Sequence, residues 1–330
     1  MLAATRTTMR EKISVFFDTN SYRQVVLDKT ETEIISLFEE ISIAEKRNNI
    51  EAISTFTVNL ELMANLVEGE SGINYKNCLN SLQFLSYHCY DLEKEEIRVC
   101  AIPFFQVSAM MFGALPISYN KSSQKFSKLI ESFKSFENKS PKISKEVYEF
   151  VKDNLQKHEL GFATSLAGLI SAANFGMEKI YPNLDSKTRR KKLLDYFKDD
   201  SYAQHLSLQT LKIISKNLEI QLPEAELQKR AYFLRTQLPL SSGFFQWILC
   251  KVIQDNIDIF SKNSRAKRWN WLWDYQISYV ISKSTINEGK MLIITSDKEM
   301  IEILKINQLQ ENVMTISEYL KFLNINSGSC

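Results

Sequence analysis

The sequence predicts an α/β protein: a parallel sheet flanked by helices and interrupted by a long helical insertion. Three observations predict it. The runs Ile13-Ser14-Val15-Phe16-Phe17 and Met291-Leu292-Ile293-Ile294 are short and almost entirely apolar, as expected of strands buried on both faces. Apolar residues at helical spacing fill the segments beside them. Only nine Gly and six Pro occur in 330 residues, which favours long regular elements, mostly helices.

The elements follow in order. Residues 13–17 read as a first strand, because they are β-branched and aromatic with Ser14 as the sole polar break. Thr30 to Arg47 carries Ile34, Ile35, Leu37, Phe38, Ile41 and Ala44 at helical spacing. Ala52 to Phe56 reads as a second strand, and Val58 to Val67 as a helix with Val58, Leu62, Met63 and Leu66 on one side. From Gly69 to about Lys262 the pattern is nearly all helical, with breaks expected at Gly69–Gly72, Tyr119–Gln124, Asn138–Pro141, Tyr181–Lys187 and Pro239–Gly243. Trp269 to Ile281 reads as a helix, Lys290 to Thr295 as a strand, Asn312 to Ile316 as a weak strand and Ile316 to Leu323 as the closing helix. The parse is a discontinuous α/β domain, 1–70 and 260–330, holding a helical insertion at 71–259. Chain length is ample for a real core.

Composition narrows the function classes. The 41 basic and 39 acidic residues leave a net charge of +2, so only local clustering could mark a nucleic-acid partner. Five widely spaced Cys and three isolated His argue against a disulfide framework and against zinc chemistry. A reducing, cytoplasmic setting with free thiols is expected. Met1 to Lys12 is polar and charged, unlike a signal peptide. The most apolar later stretch, Ala101 to Ile117, contains Pro103, Gln106 and Pro116 and is shorter than the ~20 residues of a spanning helix. It is expected to be a buried helix, with no membrane partner.

Four acidic residues stand out. Asp18 closes the first strand, where open parallel sheets gather functional groups. Helix capping is the ordinary use of such an Asp, but Asn20 or Ser21 could serve as the cap. Asp297 follows the strand at Lys290–Thr295, and Ser296 with Glu299 has the spacing of a capping box. Glu61 shares a helical stripe with Thr57 and Asn65. Asp274 shares a helix side with Asn270 and follows the basic run Lys262-Asn263-Ser264-Arg265-Ala266-Lys267-Arg268. Lys and Arg at a helix start oppose its dipole, whereas a basic approach suits a phosphodiester substrate. Converging carboxylates repel unless cations intervene. Oxygen ligands without His or Cys suit Mg²⁺ or Mn²⁺.

In order and placement these motifs resemble the PIN domain, a family of metal-dependent ribonucleases. The matching pieces are Val15-Phe16-Phe17-Asp18-Thr19-Asn20, Thr57-Val58-Asn59-Leu60-Glu61-Leu62, Arg268-Trp269-Asn270-Trp271-Leu272-Trp273-Asp274 and Leu292-Ile293-Ile294-Thr295-Ser296-Asp297-Lys298. The resemblance covers about residues 11–70 and 260–324. It implies a three-layer α/β/α sandwich and Mg²⁺- or Mn²⁺-dependent RNA hydrolysis, leaving a 5′-phosphate and a 3′-hydroxyl. The family's corresponding segment is short; here residues 71 to 259 intervene. On this reading Asp18, Glu61, Asp274 and Asp297 hold one or two ions. Thr19, Asn20, Asn270 and Ser296 orient them, and Arg265, Lys267 and Arg268 contact the RNA backbone. An RNA-cleaving toxin or defence effector held off by a protein partner fits, as does an RNA-processing enzyme, alone or as a homo-oligomer. A haloacid-dehalogenase-like phosphatase needs a second acid two residues after Asp18, where Asn20 stands. The other alternative is an inactive scaffold whose insertion docks a protein or nucleic acid, with basic segments Lys121–Lys145 and Lys187–Lys192 as contacts.

Overall fold

A computed structural model describes residues 11–67, 74–100, 103–116, 145–281 and 289–325. It is a mixed α/β protein on a four-stranded parallel sheet. The strands β1 (Ile13–Phe17), β2 (Ile50–Ala52), β7 (Lys290–Ile294) and β8 (Val313–Met314) lie in the order β2-β1-β7-β8. Phe17 pairs with Ile294 in register and Ile13 with Lys290, so segments far apart in the chain form the centre of one sheet. Val15, Phe16, Phe17, Leu292, Ile293 and Ile294 are all buried. That is the expected consequence of an apolar strand covered on both faces.

Two connections leave this pair in opposite directions. β1 leads through α1 (Thr19–Val26) and α2 (Glu31–Arg47) to β2 on one side, and β7 leads through α12 (Lys298–Ile306) to β8 on the other. Right-handed crossovers then put the α1–α2 and α12 layers on opposite faces. Consistent with this, α1 packs against α4 (Tyr75–His88), and α12 packs against α10 (Pro239–Gln254). The gap between β1 and β7 is therefore the sheet's switch point, where ligand crevices form outside the strands' carboxyl ends.

The strand expected at Ala52–Phe56 divides into β2 and β3 (Ser54–Thr55), and α3 starts early, at Phe56–Val67. Ile53 N–H still donates to Val15 O at 2.9 Å, so the chain keeps the edge of β1 as it turns away. The insertion read as all-helical also holds three two-residue strands, β4 (Tyr90–Asp91), β5 (Glu96–Ile97) and β6 (Val99–Cys100), and β6 pairs in parallel with β3. Such short strands leave no alternating signal in a sequence. The break expected at Pro239–Gly243 falls at its leading edge, at Leu238, where the preceding helix has ended at Gln237. Pro239 opens α10, and Gly243 lies inside it, because Pro is well tolerated in a first helical turn. The breaks expected at 69–72, 119–124 and 138–141 lie outside the described residues, as does the basic segment 121–144.

The remaining helices are α5 (Pro103–Phe112), α6 (Lys145–Ile180), α7 (Ser186–Lys198), α8 (Asp200–Asn217), α9 (Glu224–Gln237), α11 (Arg265–Ser278) and α13 (Ile316–Phe322). One core runs from β1 through α3, α4, α6, α10 and α11 to α13, and a smaller one joins α5, α8 and α9. Within α6, Val151–Ile180 is long and apolar enough to cross a membrane by length and composition, a stronger match than the stretch at 101–117. Its Val151, Leu155, Phe162, Ala163 and Leu166 are buried, whereas Leu160, Phe175 and Ile180 are exposed.

Behind β1 sits a closed polar knot. Glu45 Oε1 accepts His88 Nε2 at 2.7 Å and the Tyr319 hydroxyl at 2.6 Å. All three are buried, and Phe17 packs against both the His88 and Tyr319 rings. The knot ties α2, α4 and α13 to the strand that ends at Asp18. Glu45→Ala would leave two buried donors unmet, and urea unfolding should show a loss of about 3 kcal/mol or more. Glu45→Gln, which retains an acceptor, should lose less.

Candidate metal centre

Asp18 and Thr295 stand side by side just past the paired strand ends, because Phe17 and Ile294 are in register. Asp18 is buried, and its Oδ2 accepts the Thr295 hydroxyl at 2.5 Å. Its Oδ1 accepts Ser21 N–H at 2.5 Å, so Asp18 is itself the N-cap of α1. The expectation that Asn20 or Ser21 would cap is corrected. A capping Asp at the end of a buried strand turns directly into the helix, and Ser21 instead donates its hydroxyl to Ile294 O at 2.9 Å.

The same correction applies at β7. Asp297, rather than a Ser296–Glu299 box, caps α12 by accepting Met300 N–H at 2.8 Å. Glu299 accepts Trp271 Nε1 at 2.8 Å. The Thr295 hydroxyl also accepts Asp297 N–H at 3.0 Å. One threonine thus holds both strand-end acids.

Glu61 and Asp274 come from α3 and α11, which pack together. The Thr19 hydroxyl donates to Glu61 Oε2, tying α3 to the first turn of α1. Burial lifts the Glu61 carboxyl to about 7; the Asp18 charge adds to this, and the Thr19 bond and Arg23 oppose it. Arg23 is itself held by Asn77 and Asn74 at 3.2 and 2.8 Å. Asp274 is driven well above the ordinary aspartate range, first by burial and then by repulsion from Asp297, Glu61, Asp18 and Glu299. Asp18 is also raised, mainly by burial, with Asp297 adding to it. Asp274 accepts no hydrogen bond and forms no ion pair among the described residues, and none of the four acids pairs with Lys or Arg there. So the four acids do act on one another electrically. Among the described residues, no group of three or more His, Cys, Asp or Glu side chains has the arrangement of a closed metal site. The donor set, all carboxylate oxygen, matches a hard divalent ion by chemistry; the ligand shell is not drawn together.

The other expected site residues divide. Thr19 touches Glu61. Ser296 is exposed and donates to Gln24 Oε1 at 3.3 Å rather than to an acid. Asn20 and Asn270 are exposed. Arg265 is exposed and lies 3.7 Å from Glu159. Lys267 lies 3.5 Å from Asp255 and over the Trp271 ring. Arg268 is corrected from RNA contact to scaffold: it is buried, and its guanidinium donates to Ile259 O, to Ser261 O at 3.0 Å, to Ser264 Oγ at 2.8 Å and to Glu159 at 3.2 Å. In the 187–192 segment, Arg189 pairs with Glu178 at 2.8 Å and Arg190 donates to Gln254 O at 2.6 Å, the C-terminal end of α10. Sequence reasoning missed Thr295 as the residue bonded to both strand-end acids and Arg23 as a positive charge acting on Glu61 without an ion pair. Only the pairing of β1 with β7, and of α1 with α4, reveals them.

No protein-family model matches the chain, and no curated protein or solved structure matches it.

The raised carboxyls have a measurable consequence. Between the ordinary glutamate range and about 7, the folded state keeps a proton on Glu61 that the unfolded chain has lost. Stability of the metal-free protein should therefore fall as pH rises through that window. Mn²⁺ should raise the melting temperature more at about pH 8 than at about pH 5, since protons compete for the same oxygens. Asp274→Asn removes the most strongly opposed charge, so under the same alkaline conditions it should melt higher than wild type without metal and gain less from Mn²⁺. Differential scanning fluorimetry across pH reads both.

Proposed function

We propose that the chain is a divalent-metal-dependent endoribonuclease with a PIN-like α/β/α arrangement around its parallel sheet. The observation that carries the reading is the position of Asp18 and Asp297 at the switch point between β1 and β7, with Glu61 and Asp274 acting on them from α3 and α11. Carboxylates gathered without a cationic partner are costly to the fold, which fits a task that needs their charge. Asp18, Glu61, Asp274 and Asp297 would hold Mg²⁺ or Mn²⁺. When bound, such an ion lowers the pKa of a water and stabilises charge on a phosphate oxygen. The residues themselves do the positioning. Thr295 fixes the spacing of Asp18 and Asp297, and Thr19 orients Glu61. Exposed Arg265 and half-exposed Lys267 supply positive charge at the start of α11 for a phosphate backbone.

Asp18→Asn is an informative variant because Asn caps a helix about as well as Asp. It preserves the start of α1 while removing charge. Mn²⁺-dependent cleavage of single-stranded RNA should fall by more than roughly 100-fold, beyond the effect of disturbing an outer-shell partner, while the circular dichroism spectrum stays unchanged. Equal cleavage by both proteins, or none by wild type across varied RNAs, defeats the proposal. An inactive scaffold would also take up no Mn²⁺ in calorimetry.

A further inference from the structure

One side of α6 lies in the core, and the other side is an exposed face without charge. From Leu160 to Met177 the sequence holds no Asp, Glu, Lys, Arg or His. Phe175 is 70% exposed and Leu160 61%. A bilayer cannot take this face by being spanned, because Val151, Leu155, Phe162, Ala163 and Leu166 of the same helix belong to the core around β1. Down the middle of the face run Gly161, Thr164, Gly168, Ala172 and Phe175, all exposed and spaced three or four residues apart. Three of the chain's nine glycines, Gly161, Gly168 and Gly176, fall in α6, although Gly is disfavoured inside a helix. A Cβ added at any of the three would meet nothing within 4 Å. Among the described residues, then, no contact inside the protomer requires the missing side chains. What they permit is close approach by another backbone.

We propose that this face pairs with a second copy of the chain, α6 packing antiparallel on α6 about a two-fold axis at Gly168. The order of residues along the face fits that axis. In such a pair, a residue a given number of positions after Gly168 faces the one as many positions before it in the other copy. Phe175 then faces Gly161. Its ring enters the hole framed by Lys157, Leu160, Gly161 and Thr164, which have the spacing of a knobs-into-holes site. The open space at Gly161 receives the ring, and Leu160 and the Lys157 stem form its sides. Two-fold symmetry makes the contact twice. A parallel pair would set Phe175 against Phe175 and Gly161 against Gly161, with crowding at one end and a void at the other. Like charges meet only at the ends, where Lys157 faces Lys179. The uncharged run makes a strip about 27 Å long and about 10 Å wide, on the order of 300 Å² per copy, against about 800 Å² per partner in a standard interface. The dimer is therefore weak and reversible. It is independent of the nuclease reading above.

Sedimentation velocity of the full chain from about 1 μM to about 1 mM should show a monomer–dimer equilibrium. Gly168→Leu adds bulk at the axis. That side chain starts in open space within the protomer, and Leu is the better helix former. The melting temperature should hold or rise while the dissociation constant rises by roughly tenfold or more. Phe175→Ala should weaken the dimer by a similar factor. Lys179→Glu turns the facing lysines into an opposite-charge pair and should tighten it. Direction is read by oxidation. Thr164 and Ala172 flank Gly168 by four residues on either side, so Thr164→Cys and Ala172→Cys chains, mixed, should crosslink more than either chain alone, over the wild-type background. A monomer throughout the range, an unchanged dimer in Gly168→Leu, or stronger crosslinking of each cysteine chain with itself overturns the proposal. So does a chain that stays monomeric in solution and floats with neutral phosphatidylcholine vesicles, since a lipid surface would then be what covers the face.

Discussion

Everything at the acidic edge depends on β1 pairing in parallel with β7. The Thr295 hydroxyl and Asp18 are 277 residues apart in sequence and 2.5 Å apart in space. Closing a loop of that length costs on the order of 5 kcal/mol in chain entropy plus a constant, and doubling it would add little. The five-residue apolar ladder from Ile13–Lys290 to Phe17–Ile294 recovers that cost by burial. Slow growth of the penalty with length also explains how a large insertion can be tolerated between the two halves. Glycine helps at the junction. Gly289, just before β7, has φ +123°, and a Cβ there would stand 2.2 Å from Lys12 O, so no other residue lets the chain enter the sheet beside β1 this closely.

The pairing also fixes which residues can meet. Because the connections from β1 and β7 diverge, the carboxyl ends of that strand pair are left between them, and α3 and α11 close in from the flanks. Glu61 and Asp274 are carried by helices, and Glu61 is tied to the edge by the Thr19 hydroxyl. Asp18 and Asp297 are fixed from both sides: each caps the helix that follows it, and Thr295 bonds to both. The centre thus has a rigid half built into the sheet and a half that depends on helix packing.

This division explains what the sequence could and could not convey. The two central strands were legible because an apolar run five residues long between helices has few alternative meanings. The acids were legible as candidates because they terminate those runs. The capping roles were misassigned because several polar residues follow each strand, and only the N–H directions in the fold show that Asp18 and Asp297, not their neighbours, accept them. Arg268 looked like an approach to a phosphate because charge in a linear run carries no burial information. In space its guanidinium is absorbed by Ile259, Ser261, Ser264 and Glu159, and it fastens the start of α11 to α6. The short strands β3 and β6 were invisible, since two residues cannot establish a period.

In a sequence, capping a helix and ligating a metal are rival explanations of the same carboxylate; Asp18 and Asp297 do cap, and under the proposed reading the cap would also hold them for a metal. An N-cap commits one oxygen to a backbone N–H and fixes the side-chain torsions. The helix dipole lowers the cost of the negative charge at that point. Asp18 and Asp297 can therefore remain oriented by their caps, while Glu61 and Asp274 cap nothing and are raised by burial and by their acidic neighbours, as Asp18 also is. Strand-end acids held by capping give the edge its geometry, and helix-borne acids held against their own charge are what the proposed cation would relieve. Stability is lost at the second pair and recovered elsewhere, in the ladder of β1 and β7 and in the Glu45–His88–Tyr319 knot behind it.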